Sequence, residues 1–183
     1  MASSPCASSS IVVVVLLLVA AAPFAAGLIF TDPTRAFTIT NMCNFSVWPA
    51  AYPPGRGVGG AVELKPAQAM GFNVTRSADI WGRTGCAADA TGCATGDCGA
   101  AACGSLGRPP ITIARFQSAG IGIGGVVFLD DAYGLWRDRG FNLPMEFACS
   151  DGEVLRCLDA GCRYGPHACR GPSYYNITFC PPP

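Results

Sequence analysis

Apolar and polar residues alternate along Phe37-Thr38-Ile39-Thr40-Asn41 and again along Phe45-Ser46-Val47-Trp48. A period of two in β-branched and aromatic residues predicts strands with one buried face. Ala69–Val74 and Ala78–Thr84 repeat the pattern, and Ile111–Phe116 and Gly125–Leu129 are strand-like. Tyr174–Phe179 predicts a last strand before Pro181-Pro182-Pro183. Ala51–Gly60 reads as a Pro/Gly loop, and Cys86–Cys103 is too rich in Gly, Ala and Cys for a regular element. No window of a dozen residues is amphipathic at helical spacing; Asp151–Cys162 predicts at most one short helical turn held by cysteines. Short strands between turns predict an all-β fold, an antiparallel β-sandwich or flattened barrel. The glycine-rich Gly120–Gly125 lacks the Lys-Ser/Thr and the strand–helix setting of a phosphate loop.

The N-terminus changes the reading of the rest. Residues 11–26, IVVVVLLLVAAAPFAA, hold about a dozen apolar residues before Pro23, too few for a span of roughly 20. Small residues ending in Ala25-Ala26-Gly27 suit a signal peptidase, so residues 1–27 are expected to be a cleaved signal peptide. A retained signal anchor is the alternative. The n-region carries no Lys or Arg, which is atypical. No second long apolar run follows, so the mature chain, 28–183, is expected to be secreted and to lack a transmembrane span.

The 183 residues balance 12 Lys+Arg against 12 Asp+Glu, and a domain that grips phosphate backbone needs a basic surplus, so nucleic acid is not an expected partner. Of 11 Cys, Cys6 leaves with the signal peptide, and an even number remains to pair in an oxidising compartment. Their spacings are wide and irregular, and the single His, His167, is not set among paired Cys-x₂-Cys units, so neither a zinc site nor any other metal site is expected. Three N-glycosylation sequons begin at Asn44, Asn73 and Asn176.

Gly82-x-x-x-Cys86, Cys93-Ala94-Thr95-Gly96-Asp97-Cys98-Gly99, Cys103 and Gly107-Arg108-Pro109-Pro110 together resemble the signature of the thaumatin-like proteins. Gly140-Phe141-Asn142-Leu143-Pro144-Met145 and Tyr175–Pro181 resemble two further family segments, in the family's order. The resemblance runs from about Ala36 to Pro181 and is to the small type, which lacks most of a second disulfide-rich domain. It implies the pairs Cys43–Cys180, Cys86–Cys93, Cys98–Cys103, Cys149–Cys169 and Cys157–Cys162. It also implies a plant defence protein of the apoplast, a monomer without a cofactor, antifungal by non-catalytic binding to β-1,3-glucan of the fungal cell wall or by perturbing fungal membranes. A weak endo-β-1,3-glucanase and a protein-interaction module, such as an enzyme inhibitor or receptor ligand, are the alternatives.

Family members carry a cleft of one Arg, one Glu and three Asp, and a carboxyl pair across a glycosidic bond can serve as acid and base or nucleophile. Here the family's Arg position is Asp79 and its Glu position is Arg115, a reversed pair that is expected to be a salt bridge if the two face each other. Two of its Asp positions are Gly134 and Arg139. The cleft residues are therefore expected to be Asp79, Arg115, Tyr133, Trp136, Asp138 and Arg139, with Tyr133 and Trp136 as sugar-stacking candidates. Asp130 and Asp131 are the only weak catalytic candidates, against a plainer reading of Asp130, Asp131 and Asp138 as solvated loop acids. Ser118–Leu129 is longer than the family pattern and is a place where acids could be shifted into the cleft. Trp48 and Trp81 are expected in the core, and Asp97 is expected to bind backbone N–H groups of its own loop.

Overall fold

A computed structural model describes residues 34–54, 61–121, 127–128, 130–150, 152–162, 165–170 and 174–183. The expected signal peptide and residues 122–125 of the glycine-rich segment lie outside the described residues.

The strands are β1 (Thr34–Asn41), β2 (Val47–Tyr52), β3 (Ala69–Thr75), β4 (Ser77–Thr84), β5 (Ile113–Gln117), β6 (Gly120–Ile121), β7 (Val127–Phe128), β8 (Asp131–Trp136), β9 (Met145–Cys149), β10 (Val154–Cys157), β11 (His167–Cys169) and β12 (Tyr174–Phe179). They form an all-β sandwich. Sheet A has the order β10-β9-β12-β1-β3 and sheet B the order β11-β8-β5-β4-β2; β6 and β7 make a separate two-stranded ladder. β1 and β12 run parallel, with Phe37 opposite Tyr175 and Ile39 opposite Ile177. The other ladders are antiparallel.

Alternation puts Phe37 and Ile39 of β1 and Tyr175 and Ile177 of β12 on the inner face of sheet A, where they meet Phe116 and Tyr133 of sheet B. Phe37 is the hub: its ring lies 4.8 Å from Tyr175, 5.0 Å from Phe116 and 5.1 Å from Phe72. Aromatic pairs at such separations add about 0.5–1.5 kcal/mol each beyond the area they bury.

Five disulfides join Cys43–Cys180, Cys86–Cys93, Cys98–Cys103, Cys149–Cys169 and Cys157–Cys162. Cys43–Cys180 spans 137 residues and ties the turn after β1 to the end of β12.

The expected helical turn over Asp151–Cys162 is instead the strand β10, paired to β9 with Leu155 opposite Phe147. Leu155 and Cys157 are buried while Val154 and Arg156 are not, so the two-residue period prevails there. β8, β9 and β11 are further strands that the sequence pattern did not mark.

Candidate functional site

The outer face of sheet B has two unlike halves. Registers align Ala50 with Trp81, and Ile113 with Trp136, in one row. The Cys86–Gly107 loop folds over that row and closes a second small core of Ala50, Trp81, Cys103, Ile111 and Ile113, with Leu106 and Trp136 at its margin. Gly107 approaches the indole of Trp81 so closely that a Cβ there would collide with it. The loop is held by Trp81 Nε1, which donates to Gly96 O at 2.9 Å, and by the buried Arg83. Arg83 Nη1 donates to the carbonyls of Ala90 and Ala100, each at 3.0 Å. Burial lowers the Arg83 pKa from the ordinary arginine value, and the charge of Asp97 partly offsets this. Asp97 Oδ1 accepts the N–H of Gly99 at 3.2 Å inside the same loop.

The loop leaves the other half open. There Tyr52 lies opposite Asp79, Asp79 opposite Arg115, and Arg115 opposite Gly134, a row across β2, β4, β5 and β8. Arg115 donates from Nε to Asp79 Oδ1 at 2.6 Å and from Nη2 to Oδ2 at 3.0 Å. The Asp79 hydrogen bond is the main cause that raises the Arg115 pKa, with the charges of Asp79 and Asp138 adding to it. The guanidinium carbon also stands 5.0 Å from the centroid of the Trp136 ring, within reach of a cation–π contact. That ring lies over Gly134, where a Cβ would strike it and the carbonyl of Gly165. The position that carries Asp in the family pattern is thus the bare floor beneath an indole. Tyr52 is 42% exposed and closes the far end of the row.

The structure brings Asp79, Arg115 and Trp136 together as one surface cluster. Asp138 and Arg139 follow in the exposed turn after β8, where the Arg139 carbonyl accepts the N–H of Ile111 at 3.1 Å. Two expectations need correction. Tyr133 is fully buried: it pairs with Phe116 in the ladder, faces the main core, and donates its hydroxyl to Glu153 O at 2.6 Å. It cannot stack on a ligand. Asp131 is neither a cleft residue nor a solvated loop acid. As the first residue of β8 it points inward, and its side chain is 1% exposed. Its Oδ2 accepts from Arg35 Nε at 2.6 Å and from the Tyr175 hydroxyl at 2.7 Å. Its Oδ1 accepts from Arg35 Nη2 at 3.1 Å and from the Ala119 N–H at 2.7 Å. Asp130, one residue earlier, is only half-exposed. Trp48 and Trp81 are buried.

Sequence reasoning missed three contributors. Arg35 is remote in sequence from its partner Asp131, Gly134 acts only through its missing side chain, and Asn142 works as a clip. Asn142 Nδ2 donates to Gly82 O and to Thr95 Oγ1, each at 2.9 Å, joining the Gly-Phe-Asn segment to the signature loop. A separate depression of 410 Å³, lined by Phe45, Ser46, Trp48, Thr84 and Gly85, holds no titratable side chain.

A two-sheet, five-disulfide β-sandwich with a cysteine-stapled loop over one sheet is the small thaumatin-like architecture. The Thaumatin family model matches residues 41–171, and this chain belongs to that family. It is 44% identical over 161 residues to a thaumatin-like protein of Oryza sativa subsp. japonica, covering 79% of this chain and 84% of that protein. It is 41% identical over 173 residues to thaumatin-like pathogenesis-related protein 3 of Avena sativa, covering 87% and 93% of the two chains. Among solved structures, the thaumatin-like xylanase inhibitor TLXI superposes with a TM-score of 0.62 at 34% identity, over 79% of this chain and 99% of that one.

Proposed function

We propose that this chain is a secreted defence protein that binds cell-wall β-1,3-glucan without cleaving it, through the open half of sheet B. The pathogenesis-related relatives support the defence role. The observation that carries the binding mode is the Arg115–Asp79 pair set against Trp136. An indole held flat beside a fixed arginine and a carboxylate offers a sugar one stacking surface and several charge-assisted hydrogen bonds.

The same observation argues against hydrolysis. A glycosidase needs one carboxylic acid to protonate the leaving oxygen and a second carboxyl across the bond. Both oxygens of Asp79 accept from Arg115, and both oxygens of Asp131 are engaged in the interior. The test is co-sedimentation of the mature protein with insoluble β-1,3-glucan, with reducing ends counted in the supernatant. Depletion of the protein without new reducing ends is expected; steady release of reducing ends would defeat the reading.

One observation favours a second reading, an enzyme inhibitor: the similar xylanase inhibitor is covered over 99% of its length. Titrating the protein into fungal xylanases separates the two. Stoichiometric loss of xylanase activity, with no glucan binding, would put the inhibitor in place of the glucan binder.

A further inference from the structure

The outer face of sheet A is unlike that of sheet B. Its central part carries no charge, and Tyr174 stands out from it, 69% exposed. Ala148, Asn176, Thr38 and Gly71 form one row across β9, β12, β1 and β3. Gly71 is exposed, and a Cβ there would meet nothing nearer than Phe37 O at 3.8 Å. The nearest charges form the Arg156–Glu146 pair towards the β10 edge, at 2.8 Å. Tyr174 and Val154 add exposed apolar surface to this face, and exposed apolar surface invites association.

Two of the three sequons open onto this face. Asn73 on β3 lies between buried Phe72 and Val74, and Asn176 on β12 lies between buried Tyr175 and Ile177. Both asparagines are therefore turned outward and exposed. Asn73 stands opposite Ala36 of β1, and Asn176 opposite Thr38. Two strand spacings and a two-residue offset put them about 12 Å apart. Neither side chain is used in a hydrogen bond between described residues; the Asn73 row runs through Ala36 to the exposed Tyr174, and the Asn176 row through Thr38 to Gly71 and through Ala148 to the exposed Val154. Asn44 sits elsewhere, in the turn after Cys43.

We propose that Asn73 and Asn176 are both N-glycosylated and that the two oligosaccharides together cover the outer face of sheet A, leaving the open half of sheet B as the face that meets a partner. This rests on the reading of the chain as secreted. The donor is a lipid-linked pyrophosphoryl oligosaccharide. Asparagine Nδ2 forms a bond to C1 of the first sugar, the C1–oxygen bond to the lipid pyrophosphate breaks, and Nδ2 gives up one proton; nothing is oxidised or reduced. In the folded chain Asn176 lies on an interior strand of sheet A, so transfer precedes strand pairing, and the sugars then stand out from the finished sheet.

The full chain would be expressed in plant cells and recovered from the medium. Peptide mapping before and after a peptide N-glycanase, which leaves Asp in place of each modified Asn, reads each site. Deamidation at both Asn73 and Asn176 in most molecules is expected. Thr75→Val and Thr178→Val, which keep the asparagines but break the sequons, should each remove one glycan mass. Protein in the medium with either asparagine unmodified overturns the proposal while leaving secretion intact. If Thr178→Val does not fold, site mapping of the wild-type chain still decides. Glucan binding should be unchanged after glycan removal; a several-fold loss would mean that the sugars contact the partner, and would overturn their role as a cover.

Discussion

Each face of sheet B presents a carboxylate gripped by both prongs of an arginine, and the two pairs live in different media. On the inner face Asp131 holds Arg35 and the Tyr175 hydroxyl, with side chains 1% and 18% exposed for the acid and the arginine. On the outer face Asp79 holds Arg115, at 20% and 40%. The bond lengths are the same, 2.6 Å for each Nε contact. Deeper burial and two further donors, the Tyr175 hydroxyl and the Ala119 N–H, separate a clamp between the sheets from a pair at the surface. A buried pair costs heavily when one member is removed, because the other is left charged and dry. A part-exposed pair contributes less to folding, so more of its geometry is at the service of what lands on it.

The largest effect expected from this contrast is on stability. Asp131→Ala should cost about 3–5 kcal/mol, since it strands Arg35 and the Tyr175 hydroxyl together. Asp79→Ala should cost no more than about 1 kcal/mol. Guanidinium midpoints of the two variants measure the gap, and equal losses would erase the distinction between the faces.

A second expectation concerns alkaline pH. Burial, and then the hydrogen bond to Asp131, raise the Tyr175 pKa far above the ordinary tyrosine value. A group whose folded pKa is raised stabilises fully below its unfolded value and loses that contribution above it. Stability should therefore be flat up to about pH 10 and fall beyond it, as the unfolded chain releases a proton that the folded chain keeps. Tyr175→Phe should make the fall shallower. The buried Tyr133, raised mainly by desolvation, keeps part of the slope in the variant. An identical slope in both proteins would mean that Tyr175 is not the group concerned.

The third effect is on binding alone. Arg115→Lys keeps the charge but loses the two-pronged bond and the planar contact with Trp136. Affinity for β-glucan should drop about tenfold, worth about 1.4 kcal/mol, with the thermal midpoint almost unmoved. A large fall in the midpoint would make the outer pair a structural one.

How much of this was legible in the sequence follows from where each partner lies. Phe37-Thr38-Ile39-Thr40 announces β1 because every inward position is apolar, and the signature loop is marked by its cysteines and glycines. β8 is hidden because its first inward residue is Asp131, an acid whose partner Arg35 is 96 residues away. Reading Tyr133 as a surface residue failed for the same reason: without the register to Phe116, the inner face of β8 cannot be told from the outer. The reversed charges at Asp79 and Arg115 were visible as a substitution pattern, and their contact needed only the β4–β5 register. Gly134 reads in sequence as a lost acid. Only the fold reveals that the space it leaves is filled by the ring of Trp136.

The central claim, that the open half of sheet B binds glucan by stacking on an indole, is tested most directly by fluorescence. Trp48 and Trp81 are buried, and Trp136 is the half-exposed tryptophan. Titration with a soluble β-1,3-glucan oligosaccharide should change the tryptophan emission saturably in the wild-type protein. Trp136→Ala should abolish both that change and co-sedimentation with insoluble glucan while remaining folded, with a midpoint lowered by the packing lost over Gly134. Undiminished glucan binding by a folded Trp136→Ala variant would contradict the account.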